Sequence, residues 1–453
     1  MIKNTIIIFY GLFSEKQSYD WIPYGPLFLY SMLKSKGFNP ILIHEYNNRN
    51  YEKTIIRYEK DTIAFCISAM TGYQIKSGIK AVKLFKKHND KSPVLWGGAH
   101  ATAIPYNTLK SKYVDYVYVG YTTFNLIKFF ENIKNKNSVS GENIPDLLNL
   151  NDFNRLNAKS YKVEDNKLDL YTFPKLSFND FNFFYLLTEN MVLNYNASIG
   201  CPGVCTFCSW GGEKHPWTKF KLNRVLDELE YLVKTYGLKS VWFSDSELSI
   251  EKNFLLGIAK GLIDRKINIY WRCNARVVEL KKYTKKDYEL LEKSGLDRFF
   301  LGVENIDNNI QKTYRKIIKP EWVFNLLKNL NNFNIQIMLA FIFGNPNEHI
   351  DSLEKNRAFL SQCYELNCNV RFQISFFTPY PGTPLTDYVS TVCYDEPKNL
   401  EEYGNSLYFT DVSRSYKKMP WMERDEAKEY IQKYNILFPT MDCAPEWNWR
   451  EKV

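Results

Sequence analysis

Long apolar runs are missing from this sequence: nowhere in its 453 residues does a stretch approach the roughly 18 consecutive apolar positions of a membrane span. A bilayer-crossing helix is therefore not expected. The opening segment, "MIKNTIIIFYGLF", has a lysine followed by apolar residues but no small-residue cleavage site, so "TIIIF" reads as a buried strand. A cytoplasmic location follows as the expectation. Cysteines are few and scattered, with only Cys66 ahead of position 201 among nine in all, which excludes a secreted disulfide framework. Neither G-x-G-x-x-G nor G-x-x-x-x-G-K-S/T occurs in the first third of the chain, so the common phosphate-cradling loops are absent there. No internal repeat is present. The formal charge of +9 would suit nucleic acid, but its basic residues lie in segments such as "AVKLFKKHNDK" and "LKKYTKKDYELLEK". There they alternate with apolar positions and read as solvated helix faces, so a nucleic-acid partner is not expected.

What is present is a regular alternation. Strand-like runs Thr5–Phe9, Pro40–His44, Thr62–Ser68, Pro93–Gly97 and Asp115–Val119 are separated by amphipathic segments such as "YQIKSGIKAVKLFKKH". Short apolar strands alternating with helices predict an open, five-stranded, doubly wound parallel sheet over residues 1–135. Residues 136–190 are polar, Asn-rich and without helical period, and read as an extended connector. The alternation resumes over 191–395, with strands expected at Val192–Ala197, Ser240–Ser244, Asn268–Cys273, Arg298–Val303, Gln336–Phe343 and Val370–Phe376. Six strand–helix units predict a partial barrel whose chemistry lies at the C-terminal strand ends. Residues 396–453 carry one amphipathic helix, "ERDEAKEYIQKYN", and a Trp-rich tail, and read as a small cap facing the substrate. Trp421, Trp447 and Trp449 serve either to close a pocket or to pack that cap.

At the end of the first barrel strand lies "ASIGCPGVCTFCSWGG", with Cys201, Cys205 and Cys208 inside eight positions. Three thiolates so close suit a [4Fe-4S] cube held on a wrapping loop, with one iron left for a small molecule. A structural zinc would need four ligands. His215 is the nearest candidate, farther along the chain than the usual spacing of such pairs. Both readings stand at this point, with the cluster favoured by its place at the strand end.

"GCPGVCTFC" resembles the CxxxCxxC signature of radical S-adenosylmethionine enzymes, and the six units resemble their partial barrel. The resemblance, over about residues 190–390, implies that Cys201, Cys205 and Cys208 hold the cluster and that S-adenosylmethionine chelates the open iron. It further implies cofactor contacts in several motifs. "VWFSDSEL" supplies Ser244, Asp245 and Ser246, where that family often has Gly-Gly-Glu or an Asp-Asp pair. "WRCNARV" supplies Arg276 for the cofactor's carboxylate. "FFLGVEN" supplies Glu304 for the ribose, and "FIFGNPNE" supplies Gly344 and Pro346 beside the adenine. "TPYPGTPL" resembles the turn after the sixth strand.

The first domain, with "PVLWGGAHATAIP" and "VDYVYVGYTTFNLIKFF", resembles the cobalamin-binding domain of the cobalamin-dependent class of these enzymes. That implies Gly97, Gly98 and Gly120 against the corrin, glycines allowing close approach of backbone. His100 falls at the same edge, and reads as a hydrogen-bonding residue rather than a ligand of cobalt. Two departures stand out. "GYTT" replaces the Gly-Glu-Gly-Glu common in relatives, and no Asp-x-His-x-x-Gly motif supplies a lower histidine.

The resemblance implies a radical C-methyltransferase. One S-adenosylmethionine would methylate cobalamin and a second would yield the 5′-deoxyadenosyl radical that activates a substrate carbon. The alternative is a rearrangement, cyclisation or oxidation with the same cofactors. A small-molecule or peptide substrate and an external one-electron reductant, such as flavodoxin or ferredoxin, are the expected partners. A methylthiotransferase would need three more cysteines near the N-terminus, and Cys66 stands alone. A non-catalytic zinc or nucleic-acid-binding protein is the remaining alternative.

Overall fold

The computed structural model describes residues 4–15, 22–136, 144–154, 175–177, 180, 192–209, 217–392, 394–405 and 421–437. Its first sheet comprises β1 (Thr5–Tyr10), β2 (Asn39–His44), β3 (Thr62–Ser68), β4 (Val94–Gly97), β5 (Tyr116–Tyr118) and β6 (Leu147–Leu148), in the order β2-β1-β3-β4-β5-β6. Every residue of β1 is buried, because helices cover both faces of the sheet and the strand can be apolar throughout. From β1 the chain moves to β2 on one side and later to β3 on the other. The point where the order reverses leaves a crevice at the C-terminal strand ends.

The expected five parallel strands are present, and β6 is an addition. Leu147 and Leu148 pair antiparallel with Tyr118 and Val117. Two leucines in an Asn-rich connector are too short a run to announce a strand by periodicity.

The second sheet is all parallel, in the order β14-β13-β12-β11-β10-β7. Its strands are β7 (Val192–Tyr195), β10 (Ser240–Phe243), β11 (Tyr270–Ala275), β12 (Leu296–Glu304), β13 (Gln336–Phe343) and β14 (Val370–Phe376). A small antiparallel pair, β8 (Ser198–Ile199) and β9 (Thr218–Lys219), sits beside β7. Strands follow chain order and helices intervene, which is the construction of a (β/α) barrel left open between β7 and β14. On β13 the alternation is strict: Ile337, Leu339, Phe341 and Phe343 are buried, whereas Gln336, Met338, Ala340 and Ile342 are partly open. One face packs on helices and the other lines the lumen.

The two sheets meet with their C-terminal edges facing. Tyr24 Oη donates to the Asn194 carbonyl at 2.9 Å, and the Ile22 N–H donates to Asn194 Oδ1 at 2.9 Å. Gly382, in the turn after β14 with φ +71°, lies against Ala103, whose carbonyl oxygen would be 2.5 Å from any Cβ placed there. Only glycine permits that approach.

The two described C-terminal helices pack on different domains. Helix Leu400–Asn405 packs on helix Tyr73–His88 of the first domain, where Leu400 and Tyr403 join the core. Helix Arg424–Leu437 instead packs on helix Asp351–Leu366 of the barrel. An amphipathic pattern identifies a helix but not the surface it covers. Trp447 and Trp449 lie outside the described residues. Among those described, no helix is long and apolar enough to cross a membrane.

Candidate active site between the two sheets

The cysteine loop follows β8 and is tied down through Thr206. The Thr206 N–H donates to the Tyr314 carbonyl at 3.1 Å, its hydroxyl donates to the Thr313 carbonyl at 2.6 Å, and its carbonyl accepts the Leu385 N–H at 3.0 Å. Phe207 stacks edge-on against Tyr314 at 4.6 Å. The thiols are partly exposed rather than packed into the core. Gly203 lies between two of them: a Cβ there would stand 3.3 Å from Cys201 Sγ and 3.7 Å from Cys205 Sγ. The loop thus curls around its own sulfurs, as a polynuclear cluster requires. Among the described residues, no three His, Cys, Asp or Glu side chains are arranged around one metal ion. His215 lies outside the described residues.

Around this loop stands a ring of charge. Burial pushes the Cys205 thiol up, and the positive charges of Lys316 and Arg276 oppose that by favouring thiolate. Arg276, at the end of β11, makes no ion pair among the described residues and its guanidinium is free to take an anionic group. Glu304, at the end of β12, accepts from Lys316 Nζ at 2.7 Å, both side chains being largely buried. Glu304 has φ +69°, a left-handed conformation costly for a residue with a Cβ, at a break in register with β13. Gly302 makes room for the turn-back: a Cβ there would lie 2.2 Å from Glu304 Oε1 and 2.6 Å from Lys316 Nζ. Sequence reading missed Lys316. Its signal was the glycine inside a strand, which often marks a close approach.

The three serine and aspartate positions after β10 have different tasks. Ser244 and Ser246 face the space between the sheets. Asp245 turns away from it and is fully buried. It accepts the Ala197 N–H at 3.2 Å, the Ser198 hydroxyl at 2.6 Å and the Ser198 N–H. Asp245 therefore braces the strand leading into the cysteine loop rather than presenting a carboxylate to a cofactor. Glu247, also unanticipated, is buried beside Ser249, Arg276 and Lys316.

Burial pushes the carboxyls of both Asp245 and Glu247 up to about 7, against the hydrogen bonds that Ser198, Ala197 and Ser249 donate. The folded chain therefore holds these protons more tightly than the unfolded chain, whose carboxyls titrate near about 4. Their contribution to stability is complete below about 4 and is lost as pH rises towards 7. Asp245→Asn is expected to flatten that decline, measured by chemical denaturation at pH 5 and pH 7. An unchanged difference between the two would contradict it.

Gly344 and Pro346 form the turn after β13. The Gly344 N–H donates to Tyr430 Oη at 3.1 Å, and its carbonyl accepts from Trp421 Nε1 at 2.9 Å. Trp421 thus packs the turn, against Phe377, rather than closing a pocket.

Between the sheets lies a cavity of about 380 Å³. Tyr10, Ser68, Gly97, Gly98, Gly120 and Tyr121 contribute from the first domain, and Asn196, Gly200, Ser244 and Ser246 from the barrel. Gly98 has φ +87° and ψ −172°, a conformation almost confined to glycine. Tyr121 stands where the missing acidic pair would begin. Its buried phenol is pushed up, with the Gly200 backbone as hydrogen-bond partner and Cys201 near enough to influence it. The cavity therefore ends against the cysteine loop.

His100 does not line this cavity. On helix Ala99–Ala103, Ala99 and Thr102 share the cavity face, so His100 is turned to the core. Its Nδ1 bonds the Thr71 hydroxyl at 3.0 Å, and burial lowers its pKa to about 3, leaving a neutral ring.

Residues 195–360 match the family model described as the radical SAM superfamily. The barrel is a radical S-adenosylmethionine domain. Such a domain implies a [4Fe-4S] cluster and S-adenosylmethionine, and the curled cysteine loop, the free Arg276 and the held Glu304 fit them. The chain is 23% identical over 385 residues to an uncharacterized methyltransferase of Pyrococcus horikoshii, covering 81% of this chain and 78% of that one. It is 23% identical over 365 residues to the anaerobic magnesium-protoporphyrin IX monomethyl ester cyclase of Rubrivivax gelatinosus, covering 74% of this chain and 61% of that one. Its fold is similar to that of the radical S-adenosylmethionine methyltransferase TsrM from Kitasatospora setae, solved with cobalamin and a [4Fe-4S] cluster. There the TM-score is 0.72 at 14% identity, with 89% of this chain and 84% of that chain covered. The two-domain fold is thus similar to that of TsrM.

Proposed function

We propose that the chain is a cobalamin-dependent radical S-adenosylmethionine C-methyltransferase. One arrangement carries this reading: the first domain's glycine-lined cavity extends to Gly200, the residue before Cys201 of the barrel, with Tyr121 at the join. The Pyrococcus horikoshii relative, named as a methyltransferase, and the cobalamin in TsrM support the same reading.

Cys201, Cys205 and Cys208 would hold the cluster, whose chemistry is one-electron cleavage of S-adenosylmethionine, while cobalamin would supply the methyl group. Arg276 would pair with the cofactor's carboxylate as a charge-assisted contact. Lys316 holds Glu304 oriented to accept from ribose hydroxyls. Ser244 and Ser246 line the shared space, where the Ser244 hydroxyl donates to Asn196 Oδ1 at 3.1 Å. Gly97, Gly98 and Gly120 admit a large flat ligand, and the mostly apolar wall excludes water. Gly344 and Pro346 shape the adenine side through a turn that Tyr430 and Trp421 brace. An external one-electron donor such as flavodoxin or ferredoxin would approach the loop itself, where Val204, between two of the cysteines, is 51% exposed.

The test is anaerobic reconstitution, with cobalamin read by absorption, iron counted on the same sample and products resolved by mass spectrometry. Stoichiometric cobalamin, about four irons per chain, and S-adenosylhomocysteine alongside 5′-deoxyadenosine are expected. The cyclase relative favours a second reading, a non-methylating rearrangement, cyclisation or oxidation with the same cofactors. 5′-Deoxyadenosine without S-adenosylhomocysteine would select it, and iron without cobalamin would remove methyl transfer altogether.

A further inference from the structure

Two tethers fix the short segment that carries Lys316. Thr206, next in the chain to Cys205, donates to the Thr313 and Tyr314 carbonyls. From the other side, the Gln311 side-chain nitrogen donates to the Asn305 carbonyl at 2.9 Å and to the Ile318 carbonyl at 2.8 Å. The Gln311 backbone carbonyl accepts the Lys316 N–H at 3.1 Å. Residues 313–318 therefore bridge the loop of the thiols and the residue that follows Glu304. Arg315, left-handed at φ +51°, turns the chain between the two.

Lys316 and Glu304 pair at 2.7 Å with side chains only 13% and 11% exposed. Such a pair is weak evidence for stability, because apolar residues of similar volume often serve a buried position as well or better. Its place beside the thiols gives it another effect. Of the two charges, Lys316 acts the more strongly on Cys205, so the pair turns its positive end towards the loop. Burial opposes the ammonium, but Glu304 and Cys205 outweigh that and raise its pKa, so Lys316 is a cation at neutral pH. With little water to screen it, that charge acts strongly on its surroundings.

We propose that Lys316 raises the reduction potential of the cluster on the cysteine loop, and that Glu304 is the counter-charge that limits the rise. The inference rests on the proposed function only in needing that cluster. In the step concerned, one electron passes from the external donor to the oxidised cluster; no bond forms or breaks and no proton moves. The donor is oxidised by one electron and the loop gains one negative charge. A fixed cation beside Cys205 stabilises that added charge, and net charge is one of the levers on a cluster's potential. Lys316 thereby eases entry of the electron as well as holding Glu304.

The test is a redox titration of the reconstituted full chain, followed by electron paramagnetic resonance, with iron counted on every sample. It is run without S-adenosylmethionine, so that no ribose engages Glu304 and no turnover enters the reading. Lys316→Met removes the cation and keeps a stem of similar shape; its potential is expected to fall. Glu304→Gln removes the counter-charge and keeps the shape; its potential is expected to rise. The double variant should lie between the two, and Lys316→Arg, which keeps the charge, should stay close to the parent. A purely structural role has no reason to move the potential with the sign of the charge removed. Shifts of one sign in both single variants, or an unmoved potential in Lys316→Met at full iron content, would overturn the proposal. So would a Lys316→Arg potential as low as that of Lys316→Met. Should Lys316→Met fail to hold iron, Glu304→Gln decides alone: a rise supports the proposal, and an unchanged or lowered potential overturns it. A parent chain that takes up no iron would instead end the cluster reading, and this inference with it.

Discussion

Replacing Cys205 with alanine is expected to abolish 5′-deoxyadenosine formation and to strip iron from the reconstituted protein. Three thiols carry the cluster reading, and the loop offers no substitute: its other members are Pro202, Gly203, Val204, Thr206 and Phe207. Loss of a ligand should exceed the about 10- to 100-fold effect typical of residues that only support ligands. Thr206→Val provides that comparison. It removes the hydroxyl bond to the Thr313 carbonyl but keeps the backbone bonds to Tyr314 and Leu385 and all three thiols. A moderate fall, with iron retained, is expected there. Cys368→Ala, at an exposed position, should change neither reading. Retained 5′-deoxyadenosine in Cys205→Ala would refute the assignment of the loop, whatever the iron count.

The fold was legible because both sheets are parallel and buried. Their strands are short apolar runs at regular spacing, and helices with an apolar stripe fill the intervals. The cysteines were legible for a different reason, since all three lie within one loop. Residues whose roles depend on distant partners were not. The likeness of "VWFSDSEL" implies Asp245 as a cofactor contact, yet its carboxylate accepts from Ala197 and Ser198 across the sheet. Lys316 reaches Glu304 only because Arg315, at φ +51°, ends the preceding helix and reverses the chain. His100 was placed at the correct edge, but its facing depends on one helical step that the run "GGAHAT" does not specify.

Gly98→Ala is the substitution that separates the two halves of the proposed chemistry. A Cβ at this position would lie 2.8 Å from the Ala69 nitrogen and 2.9 Å from its carbonyl oxygen. Those atoms already bond the Gly97 carbonyl and the His100 N–H, so the end of β3 cannot simply retreat. Either the left-handed conformation is kept under strain of about 1–3 kcal/mol, or the ends of β3 and β4 shift and the cavity wall moves with them. Both act on the pocket, because Ala69, Gly97 and Gly98 all line it. At 1.4 kcal/mol per tenfold, cobalamin binding should weaken roughly 5- to 150-fold, and S-adenosylhomocysteine formation should fall with it. Iron content and 5′-deoxyadenosine formation should hold, since Cys201, Cys205, Cys208, Arg276 and Glu304 lie on the barrel. Gly37→Ala is the control: it also has positive φ, +75°, but nothing lies within 4 Å of its added Cβ and it is not part of the cavity. It should lower Tm without altering cobalamin content. Were Gly98→Ala to bind cobalamin as tightly as the parent chain, the pocket between the sheets would not be the cobalamin site, and methyl transfer across it would have no physical basis.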